Sequence, residues 1–570
     1  MAPVAVTTGD GGPGRTARGN LLAINDFHGA IDPPTGSGGL VDGVPAGGVE
    51  YLATYVKRLR AEARREHRDS ITVGVGDLVG GSPLTSAAFH DEPAVELMDS
   101  LGMQISSVGN HEFDEGVAEL LRLQRGGCHP TDGCADGDGF RGARFQYLAA
   151  NVVQRRSGLP LLPPVSVRLV DGVPVGFVGV TLAGTPHIVN PSGISTVEFR
   201  DEAETANRWA VLLRAAGIRS LVLLLHQGGQ QNDPSGTPDP SGCANFTGDV
   251  TPIVAKLRPE YGIVVTGHTH QFYSCALPNS SGTSVVTSAG VNGQLVTDID
   301  FTIDRATRRF ASIQARNVIV ANGVRAADGS WQVDGAGVPL RDAGLVDPAA
   351  ARIADKYRAA VAPLAGRVVG RITADIGRTP GANGQTPLGD VVADAQLAWT
   401  RAQGAQIAFT NLGGLRTALS YADSAAGEQP GEVTYGEAFG AQPFNNLVVT
   451  VTLRGDQLKE LLEQQFLGYR GQFRDRPLQV SAGFTYGYDM RRPLGQRVSD
   501  LALGGVPIDP ATSYRVTASN FLVDGGDAMT VFGEGTDRTT AAGFDIDALV
   551  AYLGAGPVAP GHADRVTRLG

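Results

Sequence analysis

Between residues 20 and 305 one pattern recurs: a short run that is almost wholly apolar, a break into glycine and polar residues, then a stretch of helical composition. The runs lie at 21–24, 71–75, 105–108, 147–153, 175–180, 220–225, 263–265 and 285–286, and a helix is expected over 48–65. Runs without polar alternation predict strands covered on both faces, which puts this half of the chain in the layered α/β class. Sheets of that kind gather their functional groups at or beyond the strand ends. Here the polar clusters fall at those ends: Asp26-Phe27-His28, Asp77, Asn110-His111-Glu112-Phe113-Asp114, His226 and His268-Thr269-His270.

A length of 570 residues exceeds what one hydrophobic core usually supports, so two or more domains are expected. Residues 348–365 are rich in helix formers, with Asp347 as N-cap and Gly366 as stop, and predict a linker helix over 347–366. It separates a catalytic domain at 20–346 from a second α/β domain at 367–570. The second domain mixes strand-like runs (407–410, 447–453, 514–518) with helices (388–403, 454–466). Residues 1–19 are expected to form a disordered tail, and a Gly/Ala-rich patch lies near 322–338.

The net charge of −11 argues against a nucleic-acid polyanion as partner and leaves room for a small phosphate ester. Only Lys57, Lys256, Lys356 and Lys459 are lysines among 47 basic residues, which we read as a high-GC genome. No run approaches the roughly 20 apolar residues that span a bilayer. Cys128 and Cys134 lie in one Gly/Asp-rich loop, and Cys243 and Cys275 flank the His268 cluster in polar sequence. An even count of loop cysteines favours the disulfides Cys128–Cys134 and Cys243–Cys275, hence an oxidising compartment; free thiols or a zinc knuckle are the alternatives. The expectation is a secreted or periplasmic protein, with the signal absent from this chain.

In Asp26-Phe27-His28 the i, i+2 spacing on extended chain puts carboxylate and imidazole on one face, able to bind one ion together. Gly76 and Gly80-Gly81 let the backbone turn tightly around Asp77 and aim its carboxylate inward, where two oxygens can bridge two cations. Asn110 offers an amide oxygen, His226 an imidazole, and His268 and His270 repeat the i, i+2 arrangement. Each signal alone is weak: a Gly-Asp is commonly a turn, and a strand-end histidine is commonly structural. Five at five strand ends point to a pair of hard or borderline divalent ions in a two-metal hydrolase, which the resemblance described next narrows to zinc, manganese or similar.

The same residues, in this order, resemble the calcineurin-like metallophosphoesterases. The fuller strings Asn25-Asp26-Phe27-His28-Gly29, Gly109-Asn110-His111-Glu112-Phe113-Asp114 and Gly267-His268-Thr269-His270 are similar to its 5′-nucleotidase family. The resemblance implies an α/β/β/α catalytic domain. It implies one metal on Asp26, His28, Asp77 and His270, and a second on Asp77, Asn110, His226 and His268, with attack of metal-bound hydroxide on phosphorus. His111, oriented by Asp114, would neutralise charge on the phosphoryl or leaving oxygen, and Glu112 is read as structural. Some relatives carry an amide where His270 stands.

The match extends into the second domain through Asn411-Leu412-Gly413-Gly414-Leu415-Arg416, Gln442-Pro443-Phe444-Asn445-Asn446 and Asn520-Phe521-Leu522-Val523-Asp524-Gly525-Gly526-Asp527. These resemble the family's nucleotide-binding domain. Phe444 and Phe521 would stack on a base, Asp527 would accept from ribose, Asn411, Gly414 and Asn446 would approach base or sugar, and Arg416 would bind phosphate. Segment 381–389 lacks the family's usual phosphate-binding arginine; Arg378 is the nearest basic residue and the candidate to fold back. The resemblance also implies rotation of the second domain between open and closed forms. The expected function is a secreted, monomeric phosphohydrolase of nucleoside 5′-phosphates, extending to di- and triphosphates or UDP-sugars. A 2′,3′-cyclic-nucleotide phosphodiesterase with 3′-nucleotidase activity is the enzyme alternative. A non-catalytic ligand-binding surface protein is the alternative of another class.

Overall fold

The computed structural model describes all residues except 1–3, 8–14, 35, 235, 237, 336, 423–426 and 473. The chain divides into two compact units, one of residues 1–185 with 193–359, the other of 186–192 with 360–570. Among the described residues no helix is long and apolar enough to cross a membrane.

The first unit is built on two sheets. One has seven strands in the order Val4–Thr7, Arg309–Ile319, Leu295–Asp304, Thr16–Ile24, Asp69–Val75, Ile105–Ser107, Gln146–Leu148. The other has six, in the order Phe272–Pro278, Thr283–Ala289, Tyr261–Thr266, Ser220–His226, Val173–Thr181, Val165–Val170. Strand Ser220–His226 shows why they stack. Its even residues Val222 and Leu224 join Leu21, Ile71, Val73 and Ile263 in a core between the sheets, while Leu221, Leu223 and Leu225 face helices Glu202–Ala215 and Val250–Lys256. An alternating strand with no polar face can be buried only as a middle layer. Helix Val49–Arg65 covers the other sheet with Val49, Leu52, Val56 and Leu59, spaced three or four apart and buried. Each such side chain contributes about 1.5–3 kcal/mol by leaving water. The result is the α/β/β/α order.

The central strands of each sheet run parallel: Thr16–Ile24 beside Asp69–Val75 beside Ile105–Ser107, and Val173–Thr181 beside Ser220–His226 beside Tyr261–Thr266. Their C-terminal ends therefore share one edge. Asp26, Asp77, Asn110, His226 and His268 all follow or close these strands.

Two readings of the sequence are corrected. Where a tail was expected, Val4–Thr7 pairs antiparallel with residues 312–315, and Thr16–Ile24 already starts inside the 1–19 stretch; residues 1–3 and 8–14 lie outside the described chain. The run 147–153 is not one strand but Gln146–Leu148 and Val152–Gln154 in different sheets, split where the buried Asn151 amide donates to the Thr181 and Arg200 carbonyls. The Gly/Ala-rich patch forms isolated β-bridges, Gly323 with Arg341 and Arg325 with Trp331, the Arg325 guanidinium lying 3.8 Å over the indole.

Helix Pro348–Ala365 begins where Asp347 accepts the Ala350 amide at 3.0 Å. The second unit carries a five-stranded sheet ordered Leu478–Val480, Ile407–Asn411, Ser513–Ser519, Leu447–Arg454, Thr536–Phe544 and a four-stranded one. Helix Pro387–Thr400 opens with Thr386 accepting the Gly389 amide, and helix Gly455–Glu463 follows strand Leu447–Arg454.

Candidate metal centre

Asp26, His28, Asp77, His268 and His270 all adopt left-handed backbone, with φ between 48° and 71°. Such residues outside glycine cost about 1–3 kcal/mol each and persist where the surroundings fix them. The sharp turn throws each side chain off its strand end toward a common point. The Asp26 amide bonds Gly76 and the His28 amide bonds Asp77, which knits the first two turns together.

There the donors converge. Asp77 is 1% exposed; its Oδ2 lies 2.9 Å from His226 Nε2 and 3.9 Å from His28 Nε2, between the two rings. His28 Nε2 and His270 Nε2 are 3.0 Å apart, and His270 Nε2 is 3.6 Å from Asp26 Oδ1. Asn110 Oδ1 lies 2.9 Å from His268 Nδ1. Asp26, His28 and His270 form one set of potential ligands, and Asp77, His226 and His268 another, each with ligand atoms within 4.8 Å of one another. Asp77 is the carboxylate between them.

This donor set fits a pair of divalent ions. Two imidazole nitrogens facing at 3.0 Å need a shared proton or a cation between them, and the gap is close to the edge of a tetrahedron with ligand bonds of about 2.0–2.1 Å. His226 Nε2 is fully buried and finds no hydrogen-bond geometry despite its closeness to Asp77. The rings are held from behind: Nδ1 of His226 faces the Val75 carbonyl at 2.6 Å, and Nδ1 of His28 the Gly80 carbonyl at 2.7 Å, which turns the Nε2 atoms inward. Burial raises Asp26 to about 7. Burial would raise Asp77 too, but the charges of His226 and His111 hold it well below the usual carboxylate range. Against burial, Asp77 pushes His226 up to about 10, so this pocket draws positive charge.

His111 stands beside the set. Its Nδ1 is 2.7 Å from Asp114 Oδ2, its amide donates to Asp77 Oδ1 at 2.8 Å, and its ring centroid is 5.0 Å from that of His28. Glu112 turns away and accepts the amides of Asp77, Leu78 and Gly109, tying two strand-end loops together.

In the second unit Asn411 donates to Asp527 at 2.7 Å, and Asp527 sits at φ 53° with its pKa raised by burial. The guanidinium of Arg416 lies 5.7 Å over the Phe444 ring, and Arg378 Nη1 reaches the Arg416 carbonyl at 2.5 Å. Phe521 packs on the domain core and against Gly526, where a Cβ would meet its ring at 2.5 Å. Gly414 closes the short 3-10 turn Leu412–Gly414. Asn446 is anchored on Asp545, to which both its backbone amide and its side-chain amide donate, at 3.1 Å and 3.0 Å.

The calcineurin-like phosphoesterase family model matches residues 19–272, and the 5′-nucleotidase C-terminal domain model matches residues 368–534. The chain belongs to the 5′-nucleotidase family of calcineurin-like phosphoesterases. It is 30% identical over 508 residues to Endonuclease YhcR of Bacillus subtilis, which is 88% of this chain and 37% of that protein. It is 27% identical over 551 residues to the cell wall protein Lmo0130 of Listeria monocytogenes, covering 94% and 66%. The chain therefore spans only about a third of the first relative and just under two thirds of the second. The crystal structure of a 5′-nucleotidase precursor from Thermus thermophilus matches with a TM-score of 0.74 and 25% identity, over 97% of this chain and 99% of that one.

Set in this family, several groups escaped sequence reasoning. Gly109 and Gly267 are as necessary to the centre as the ligands they precede: a Cβ on Gly109 would overlap the Asp77 carboxylate and meet His226 at 2.8 Å, and one on Gly267 would meet Asp26 at 2.8 Å and His226 at 3.0 Å. Both glycines stood inside recognisable strings, so the signal was available. Arg476, with Nε 3.5 Å from Asp527 Oδ1, had none, because about fifty residues without a motif that joins them lie between. Asn25 was quoted but given no role; it donates to Asp26 at 2.6 Å and to the Gly290 carbonyl, fixing the first ligand.

Proposed function

We propose that this chain is a secreted, two-metal phosphohydrolase that releases phosphate from nucleoside 5′-phosphates and also cleaves nucleotide di- and triphosphates or UDP-sugars. The convergence of two carboxylates, four imidazoles and one amide oxygen around Asp77 carries the reading. Asp26, His28, Asp77 and His270 would hold one ion, and Asp77, Asn110, His226 and His268 the other, zinc or manganese by the nitrogen and oxygen donors. When bound, the ions supply Lewis acidity, lowering the pKa of a nucleophilic water and offsetting charge on phosphate.

The protein's own part is positioning and proton handling. His111 presents its outer nitrogen while Asp114 holds the inner one, so a protonated ring can offset charge on a phosphoryl or leaving oxygen. In the second domain Phe444 and Phe521 would take the base, Asp527 and Asn411 the ribose, and Arg416 with Arg378 a phosphate. The mutual bond of Asn411 and Asp527 supports a preset ribose site. Paired disulfides Cys128–Cys134 and Cys243–Cys275, and likeness to a cell wall protein, support export.

A second reading, phosphodiester hydrolysis as on 2′,3′-cyclic nucleotides, is favoured by 30% identity to a protein named as an endonuclease. Chromatography of the products formed from AMP, UDP-glucose and 2′,3′-cyclic AMP, each incubated with manganese and with zinc, decides among them: adenosine and phosphate from the first, UMP and glucose 1-phosphate from the second, AMP opened at one ester from the third. AMP turnover well above the other two supports the first reading, and turnover of the cyclic substrate alone overturns it. Recovery of all three substrates unchanged would leave a ligand-binding protein.

A further inference from the structure

Asp527 is 3% exposed, and the Asn411 amide donates to its Oδ2 at 2.7 Å. An amide is neutral, and a buried carboxylate needs a positive charge close by to stay ionised. Burial pushes the Asp527 carboxyl up, and the Arg476 charge, the Asn411 bond and the Arg474 charge pull it back. Arg476 Nε stands 3.5 Å from Asp527 Oδ1. At that length the contact works through charge and not as a close hydrogen bond, so Oδ1 keeps its capacity to accept from a ligand.

The sheet register puts Arg476 there. Strand Leu478–Val480 pairs antiparallel with Ile407–Asn411, Leu478 standing opposite Asn411, so Arg476, two residues before Leu478, lies just past the end of the Asn411 strand. The Arg476 amide donates to the Gln465 carbonyl at 2.7 Å. The buried Gln472 side chain donates to the carbonyls of Gln464 and Asp527, each at 2.9 Å. Gln472 and Arg476 are thus both pinned to the chain that follows helix Gly455–Glu463, and one of them also holds the backbone of Asp527.

We propose that Arg476 is a positioning residue for sugar recognition: its charge holds Asp527 as a carboxylate whose Oδ1 accepts from ribose hydroxyls, so that the site prefers ribonucleosides to deoxyribonucleosides. This rests on the reading of the second domain as the nucleoside-binding part. A carboxylate only accepts, which suits hydroxyl donors, whereas the protonated acid turns one oxygen into a donor. Hydrogen bonds to an ionised acceptor are also about twice as strong as neutral ones, so the discrimination follows the charge on Asp527.

The test is calorimetric titration of the full chain with adenosine, 2′-deoxyadenosine and 2′,3′-dideoxyadenosine, in which no turnover enters the readout. Wild type is expected to bind adenosine about ten- to hundredfold more tightly than the dideoxy analogue. Arg476→Gln at about pH 6 is expected to lose most of that ratio while its affinity for the dideoxy analogue, which reports the base, stays at the wild-type value. At about pH 9 the ratio should return in part, because Asp527 then ionises without its partner. The groups that face Asp527 are Arg476, Arg474 and the Asn411 amide; guanidinium groups stay charged across this range and amides do not titrate, so a return with pH belongs to Asp527. Arg476→Lys keeps the charge in a contact that uses one nitrogen and is expected to keep the ratio to within about threefold. An unchanged ratio in Arg476→Gln at the lower pH, or a ratio lost in the Lys variant as well, would overturn the proposal and leave the nucleoside-binding reading in place. Wild type that binds all three nucleosides alike overturns it too, and wild type that binds none refutes that reading and the proposal with it.

Discussion

At the level of single residues, His111 and Asp545 lend themselves to measurement. His111 lies against the metal set without belonging to either ligand group of the proposed centre, and Asp114 holds its inner nitrogen. Replacing it with alanine is expected to lower kcat by about a hundred- to ten-thousandfold, the usual worth of a positioned proton donor, while metal content stays at the wild-type value. Loss of metal along with activity would show it to be a ligand instead. Asp545 illustrates burial against titration: it is 3% exposed, and burial raises its carboxyl from 3.8 to about 7, against the donors on Asn446 and Ile546. Between those values the folded chain holds a proton that the unfolded chain has lost. Its contribution is therefore fully present at pH values below 3.8 and is lost as pH rises through about 7, with a slope of at most about 1.4 kcal/mol per pH unit. The dependence of urea-melt stability on pH across that range should be flatter for Asp545→Asn than for wild type.

At the level of elements, the strand ends and the strap behind them matter most. Gly109 closes the gap between strand Ile105–Ser107 and Asn110, where no room exists for a side chain beside Asp77 and His226. Gly109→Ala should leave the fold and lower metal affinity by about tenfold to a hundredfold, read by calorimetric titration with manganese. Cys243–Cys275 anchors strand Phe272–Pro278, which follows His270 closely, to a loop 32 residues earlier. In the chain-entropy account, closing a loop of that length stabilises by about 3–4 kcal/mol. Replacing both cysteines with serine should lower denaturant stability by that order, and an unchanged midpoint would refute the role.

For the whole molecule, two units with separate cores predict separate melting. The first is held by residues such as Leu21, Val73, Phe177 and Leu224, the second by Phe409, Val451, Leu461 and Phe532. A calorimetric scan of the full chain should need at least two transitions, with the total enthalpy exceeding the van't Hoff enthalpy of either; one two-state peak would contradict independent cores. Zinc or manganese should move the transition of the first unit and leave the other in place.

The order of strands and helices was legible in the chain because burial on both faces removes polar alternation, as in 220–225, and because a helix needs its apolar residues three or four apart, as in 48–65. The candidate ligands were legible for a related reason: oxygen and imidazole donors at five strand ends have little else in common, and the fold brings them together. What reading along the chain could not supply was proximity between segments far apart in it. The inward lean of Asn446 onto Asp545, the reach of Arg476 to Asp527, the break of 147–153 at Asn151 and the stacking of His90 on His129 all depend on which elements pack together. Periodicity is local and survives in one dimension, whereas contacts across a hundred residues exist only once the layers have closed.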